Sequence, residues 1–182
     1  MARLSIHVEP HGAAGIARHY VGDLVYGAND GIITTFAVVA GVAGGRLSHI
    51  AVLIVGAANI AADGLSMAVG NFLAIRAHES GREAEGLPEE EAHPWRHAGA
   101  TFVAFVVAGS VPLAPYVLSP FREQEFAWSI VSTLTSLFAV GAARTMVTVD
   151  RWWTAGLEML LLGAMVAVAA YVAGAVIAAV VS

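Results

Sequence analysis

The sequence has no cysteine and no lysine, and only 13% of its 182 residues are charged. Without cysteine there is no disulfide framework, no thiolate zinc or iron-sulfur site and no cysteine nucleophile, so any metal must be held by oxygen, imidazole or thioether. The charged share is about half the ~25% of an ordinary soluble domain, which argues for a chain whose solvent is lipid. A formal net charge of −5, from nine arginines against fourteen acids, removes the basic footprint that nucleic-acid binding needs. There is no Gly-x-Ser-x-Gly elbow and no His-Glu-x-x-His pair, which disfavours an intramembrane hydrolase. Met1 to Tyr20 lacks the apolar core of a secretory signal and is expected to stay attached.

What is abundant is apolar: 58% of the residues are hydrophobic and the mean hydropathy is +0.72. Three stretches carry no Asp, Glu, Lys or Arg: His97 to Phe121, Phe126 to Ala143, and Met159 to Ser182. Each is of the order of the ~20 residues that cross a hydrocarbon core. Two more are apolar but interrupted, roughly Leu24 to Gly45 by Asp30 and His49 to Ile75 by Asp63. The expected fold class is an all-α membrane protein with five transmembrane helices. Residues 1–22 would be a cytoplasmic segment and the start of helix one. Residues 23–182 would form a single transmembrane domain, with a short acidic cytoplasmic loop at 77–97. Gly44-Gly45 before Arg46, a Ser119-Pro120 turn and the aromatic pair Trp152-Trp153 mark boundaries. With the N-terminus inside, seven arginines fall in inner segments and two, Arg46 and Arg122, in outer ones, which supports N-in and C-out.

The polar residues inside the spans carry the chemistry. Asp30 lies about four turns from the Gly44 end, where an ionised carboxylate costs ~2.5–3.5 kcal/mol on insertion scales. The bland reading is a packing hydrogen bond by a protonated acid. Intramembrane acids are nevertheless rare and usually mark ion or proton paths. In the second helix Asn59, Asp63, Met67 and Asn71 recur every four residues, placing amide, carboxylate, thioether and amide on one stripe. Oxygen donors suit hard divalent cations and a thioether adds preference for softer ones. Methionine in an apolar helix is ordinarily packing, and Asp63 one turn away is what brings Met67 into the ligand set.

Other signals are weaker. Gly27/Gly31, Gly41/Gly45 and Ala57/Ala61 give small-xxx-small patterns that favour helix association. Glu158 is read as an interfacial acid opening the last helix. The loop gathers Glu79, Glu83, Glu85, Glu89, Glu90 and Glu91 with His78, His93 and His97, and Glu89 and His93 would share a face if helical. Pro88 and Pro94 interrupt it, and a run of acids is usually a solvated surface. His19 and Asp23, four apart at the inner mouth of helix one, are a better candidate pair for receiving an ion.

The stretch Asp23-Leu-Val-Tyr-Gly-Ala-Asn-Asp-Gly-Ile-Ile-Thr-Thr-Phe-Ala-Val-Val-Ala-Gly-Val-Ala-Gly, ending at Gly44, closely resembles the first-helix signature of the vacuolar iron transporter family. Ala58-Asn-Ile-Ala-Ala-Asp-Gly-Leu-Ser-Met-Ala-Val-Gly, ending at Gly70, resembles its second-helix signature, and Gly156-Leu-Glu-Met-Leu is similar to the start of its last helix. The resemblance implies a five-helix protomer acting as a homodimer, with the ion path between the paired first and second helices and ferrous or related ions exchanged for protons. On that pattern Asp30 and Met67 match the membrane-embedded ion positions and Asp23 an acid on the inner extension of helix one. His19 stands where another acid is usual, and Asn71 where the family has glutamate. The glutamate- and methionine-rich metal-binding domain that many members carry between helices two and three has no room in this chain.

The functional expectation is therefore transport of a divalent transition metal, Fe2+ or Mn2+, out of the cytoplasm in exchange for protons. The ion is the substrate, and no cofactor is expected. The expected partners are divalent metal ions, protons, the lipid bilayer and a second copy of the chain, with no nucleic acid. A bacterial inner membrane is the expected location, an organelle membrane the alternative. A non-transporting scaffold or regulatory subunit, whose aspartates only hold helices together, is the rival reading.

Overall fold

The computed structural model describes residues 5–118, 122–146 and 148–181. Among them the chain is helical: α1 (Gly12–Gly44), α2 (His49–Ala84), α3 (Pro94–Gly109), a short α4 (Ala114–Leu118), α5 (Glu125–Arg144) and α6 (Trp152–Val181). A single 3-10 turn, Arg122–Gln124, leads into α5. Four helices, α1, α2, α5 and α6, are long and apolar enough to cross a membrane. The stretch 97–121 expected as one span is divided. α3 is 16 residues long, about 24 Å, and ends at a turn before α4. Pro112 supplies the reason, since it has no N–H to continue the ladder, and its carbonyl accepts the Ser129 hydroxyl at 2.7 Å instead. The Ser119-Pro120 boundary signal and Phe121 lie outside the described residues, as do Arg3 and Ser182.

The helix ends follow local chemistry. Ser48 caps α2 by accepting the Ala51 N–H at 3.3 Å. At the other end of α2, Gly86 takes φ +73°, and Leu87 N–H reaches the Arg82 carbonyl at 2.9 Å while Gly86 N–H reaches Glu83 at 3.0 Å. That is a Schellman stop. The same pattern closes α1, with Leu47 N–H on Val42 at 3.1 Å and Arg46 N–H on Ala43 at 3.0 Å. There the left-handed residue is Arg46, at φ 54°, rather than a glycine.

Close packing rests on small residues at crossings. α3 lies across α1 where Gly27 and Gly31 leave space: a Cβ on Gly27 would run into the Thr101 carbonyl oxygen, and one on Gly31 would stand 2.5 Å from that of Phe105. α6 meets α1 at Gly41 and Gly44, opposite Tyr171 and Gly174. Between these contacts sits a core of Phe36, Val39, Val42, Val52, Leu113 and Tyr116, and a smaller cluster of Ile32, Leu137 and Met159. Ala57 and Ala61, the third small pair, are exposed on α2. Glu158 does not open α6, which begins at Trp152. It sits in the second turn and binds Arg144 at 2.8 Å, joining α6 to the end of α5.

Candidate functional site

α1 and α2 form an antiparallel pair about the turn between Gly44 and His49, so residues equally far from that turn lie at similar depth. Asp30 is 14 residues before Gly44 and Asp63 is 14 residues after His49, about 21 Å along each axis. Both are half-buried, and each carboxylate lies within electrostatic reach of the other. Met67 follows one turn beyond Asp63 and Asn59 one turn before it, both half-buried. The Asn59 amide nitrogen and the Asn29 amide oxygen are shut off from solvent without a hydrogen-bond partner. Asn59, Asp63 and Met67 thus follow one another along α2, while Asn29 lines a pocket between α1 and α6 with Tyr26, Glu158 and Met159.

Further from the turn the same register brings Asp23 beside Asn71. The Asn71 amide donates to Asp23 Oδ1 at 2.7 Å and to Thr101 Oγ1 at 2.8 Å, tying α1, α2 and α3 together. Asp23 Oδ2 in turn accepts from His97 Nδ1 at 2.6 Å. His19 and Asp23, the candidate pair for receiving an ion, have different immediate partners, linked through His97. His19 Nε2 faces Glu91 Oε2 at 3.3 Å. One helical turn separates the two residues on α1, but Asp23 is already held from both sides.

The acidic loop is shorter and more ordered than a solvated run. α2 continues to Ala84 and α3 starts at Pro94, leaving 85–93 as the connection. Glu79 is buried and accepts the backbone N–H groups of Glu90 and Glu91, the latter at 2.9 Å. Arg82 donates to the Pro88 carbonyl at 3.1 Å and pairs with Glu90 at 2.9 Å. The N-terminal segment lies against this connection through Ile6 N–H on the Glu89 carbonyl at 2.8 Å. Glu89 and His93 share no helix face, because Glu89 pairs with Ser5 in a β-bridge and His93 stands just before the first residue of α3.

This docking gathers His7, Glu9, His19, Glu91, His93 and His97 at one end of the bundle. The sequence carried no local signal for His7 and Glu9, which reach their partners across more than eighty residues. Arg96 grips Glu9 at 2.9 and 2.7 Å. Burial acts to raise the Glu9 carboxyl, and Arg96, His93 and His7 more than offset it, holding it below the usual carboxylate range. Burial likewise acts to raise Glu91, and the His93 backbone N–H with the His97 and His7 rings outweighs it and holds Glu91 low. Both carboxylates are therefore charged at neutral pH.

Comparison with known proteins follows the same lines. The sequence profile of the VIT family matches residues 21–86 and 77–175. "Vacuolar iron transporter 2" of Oryza sativa subsp. japonica is 28% identical over 92% of this chain and 90% of its own length. "Vacuolar iron transporter 1" of Arabidopsis thaliana is 28% identical over 92% and 89%. A "Vacuolar iron transporter" of Toxoplasma gondii is 42% identical over 84 residues, 46% of this chain and 27% of its own. The plant alignments run over 225 positions against the 182 residues here, so those relatives carry segments that this chain lacks.

Proposed function

Because the chain belongs to the VIT family, we propose that this integral membrane protein carries a divalent transition metal, Fe2+ or Mn2+, out of the cytoplasm in exchange for protons. The observation that carries the reading is the placement of Asp30 and Asp63 at matching depth on packed helices, with Met67 on the next turn. Two carboxylates and a thioether suit a borderline divalent ion. Two uncompensated charges at that depth would be expensive without a cation or protons to share.

The energetics require a driving ion. Moving a 2+ charge out against 100 mV costs about 4.6 kcal/mol before any concentration gradient, and protons moving inward can supply it. Metal ligands must be deprotonated, so an ion entering the site displaces protons from Asp30 and Asp63, and protons returning weaken its hold. That competition is the smallest chemistry that couples the two fluxes. α3 with the turn and α4 would supply the fifth crossing, and N-in, C-out orientation puts the loop 85–93 in the cytoplasm. The exposed α2 face bearing Ala57 and Ala61 would meet a second copy.

Purified protein in proteoliposomes tests the reading. Fe2+ or Mn2+ flux should rise with an imposed pH gradient, and Asp30→Asn should lower it by at least about tenfold, the effect of ~1.4 kcal/mol on a barrier. Wild-type vesicles that pass no divalent ion, or an Asp30→Asn variant with normal rate and pH dependence, would return the protein to the scaffold reading.

A further inference from the structure

We propose that His19, His97 and Glu91 form a binding site for one first-row divalent transition-metal ion outside the membrane, separate from the Asp30/Asp63 region. Their donor atoms, His19 Nε2, His97 Nε2 and a Glu91 carboxylate oxygen, lie within 4.8 Å of one another. The two imidazole nitrogens stand 3.3 and 3.0 Å from the same atom, Glu91 Oε2. Donors about 2.1 Å from a shared ion are spaced roughly 3.0 Å apart in octahedral and 3.4 Å in tetrahedral coordination, so these separations need little change on binding. The three residues come from α1, the connecting loop and α3, so the fold and not a local run of acids brings them together.

Hydrogen bonding prepares each donor. His97 Nδ1 is 2.6 Å from Asp23 Oδ2, and a carboxylate can only accept, so Nδ1 carries a proton and Nε2, facing Glu91 Oε2, is the nitrogen from which an ion would displace any proton. A ligating histidine ordinarily has this arrangement, its second nitrogen oriented by a carboxylate. His97 Nε2 and His19 Nε2 are both shut off from solvent, and the Glu91 carboxylate is the polar group that each of them faces. Enclosed nitrogens of this kind are costly unless something binds them. Glu91 Oε1 is anchored by the His93 N–H at 2.8 Å, which leaves Oε2 facing the two rings, with His7 Nδ1 further off at 3.6 Å.

The neighbouring group His7, Glu9 and His93 has the same residue types but not the same chemistry. Arg96 occupies both Glu9 oxygens at 2.9 and 2.7 Å and sets a positive charge where a cation would sit. His7 helps from one side: its Nδ1 donates to the Glu90 carbonyl at 3.2 Å, holding the loop that carries Glu91. Two imidazoles with one carboxylate select borderline ions such as Fe2+, Co2+ and Zn2+ over Ca2+ and Mg2+, which prefer oxygen alone. Depth supports the location. α1 is 33 residues long, about 50 Å against a ~30 Å core, so with its far end at the opposite surface His19 projects beyond the hydrocarbon.

The site does not depend on the transport reading, and the test keeps the two apart. Full-length protein in detergent is titrated with Co2+, following its d–d absorption, and with Zn2+ by calorimetry. One Co2+ per chain with the spectrum of imidazole coordination should persist in Asp30→Asn and Asp63→Asn. Asp23→Asn should weaken binding by roughly 10- to 100-fold, and His97→Gln and Glu91→Gln by more, with helix content unchanged by circular dichroism. His78→Ala, at an exposed histidine outside the group, should leave affinity as in the wild type. Unchanged binding in both His97→Gln and Glu91→Gln, loss of all binding in Asp30→Asn, or loss in His78→Ala would each overturn the proposal.

Discussion

Gly31 has space for a hydrogen and nothing more. A Cβ there would stand 2.5 Å from the Phe105 carbonyl oxygen, and backbone cannot step aside as a side chain can. Gly31→Val should therefore push α3 off α1 and cost about 1–3 kcal/mol, read as a lower midpoint of thermal unfolding in detergent. Met67 makes the opposite prediction, since Met67→Leu conserves volume and should leave folding intact. On the transport proposal it should lower Fe2+ flux relative to Mn2+, because only the thioether is lost; equal losses for both ions would exclude a ligand role. The four-residue spacing of Asn59, Asp63, Met67 and Asn71 was legible in the sequence because helical geometry alone sets it. The partners of Asp23 were not. Which of His19, His97 and Asn71 would claim its two oxygens depends on how three helices pack.

At the scale of elements, the connection between α2 and α3 carries the most information. Residues 85–93 contain acids that read as a solvated run, yet Glu79 turns inward to receive two backbone N–H groups and Gly86 reverses the chain. Gly86→Ala would place a Cβ in the left-handed region at a cost of about 1–2 kcal/mol. Faster hydrogen exchange at the Glu90 and Glu91 amides is the expected sign, because the same turn aims them at Glu79. Helix existence was legible throughout from hydrophobic runs. The division of the third stretch came from Pro112 and its carbonyl's bond to Ser129, a contact between elements that run lengths do not report.

Across the whole molecule, the N-terminal segment closes over the end of the bundle through Glu9 and Arg96. The Glu9 carboxyl is held below its ordinary value, so its charge stabilises the docked segment fully above that ordinary value, and the contribution is lost as pH falls from there through the lowered one. Exchange of the Ile6 amide, corrected for its intrinsic pH dependence, should rise below about pH 4.5. Arg96→Gln should produce the same loosening at neutral pH. Pairing of two copies through α2 can be read cleanly, since the chain has no cysteine of its own. Ala61→Cys should crosslink to itself in membranes if that face is shared, and an exclusively monomeric product would remove the paired path.

Composition, run length and helical period were enough to determine that this chain lives in lipid, that its spans are helices, and that Asp30 and Asp63 stand equally far from the turn between α1 and α2. Those properties depend on the solvent and on neighbours a few residues away, so they are written locally. The meeting of His19, Glu91 and His97, the capture of Asp23 by His97 and Asn71, and the folding of His7 onto the loop were decided only in three dimensions. Each joins residues far apart in the chain, and a contact of that kind exists only once the helices have packed.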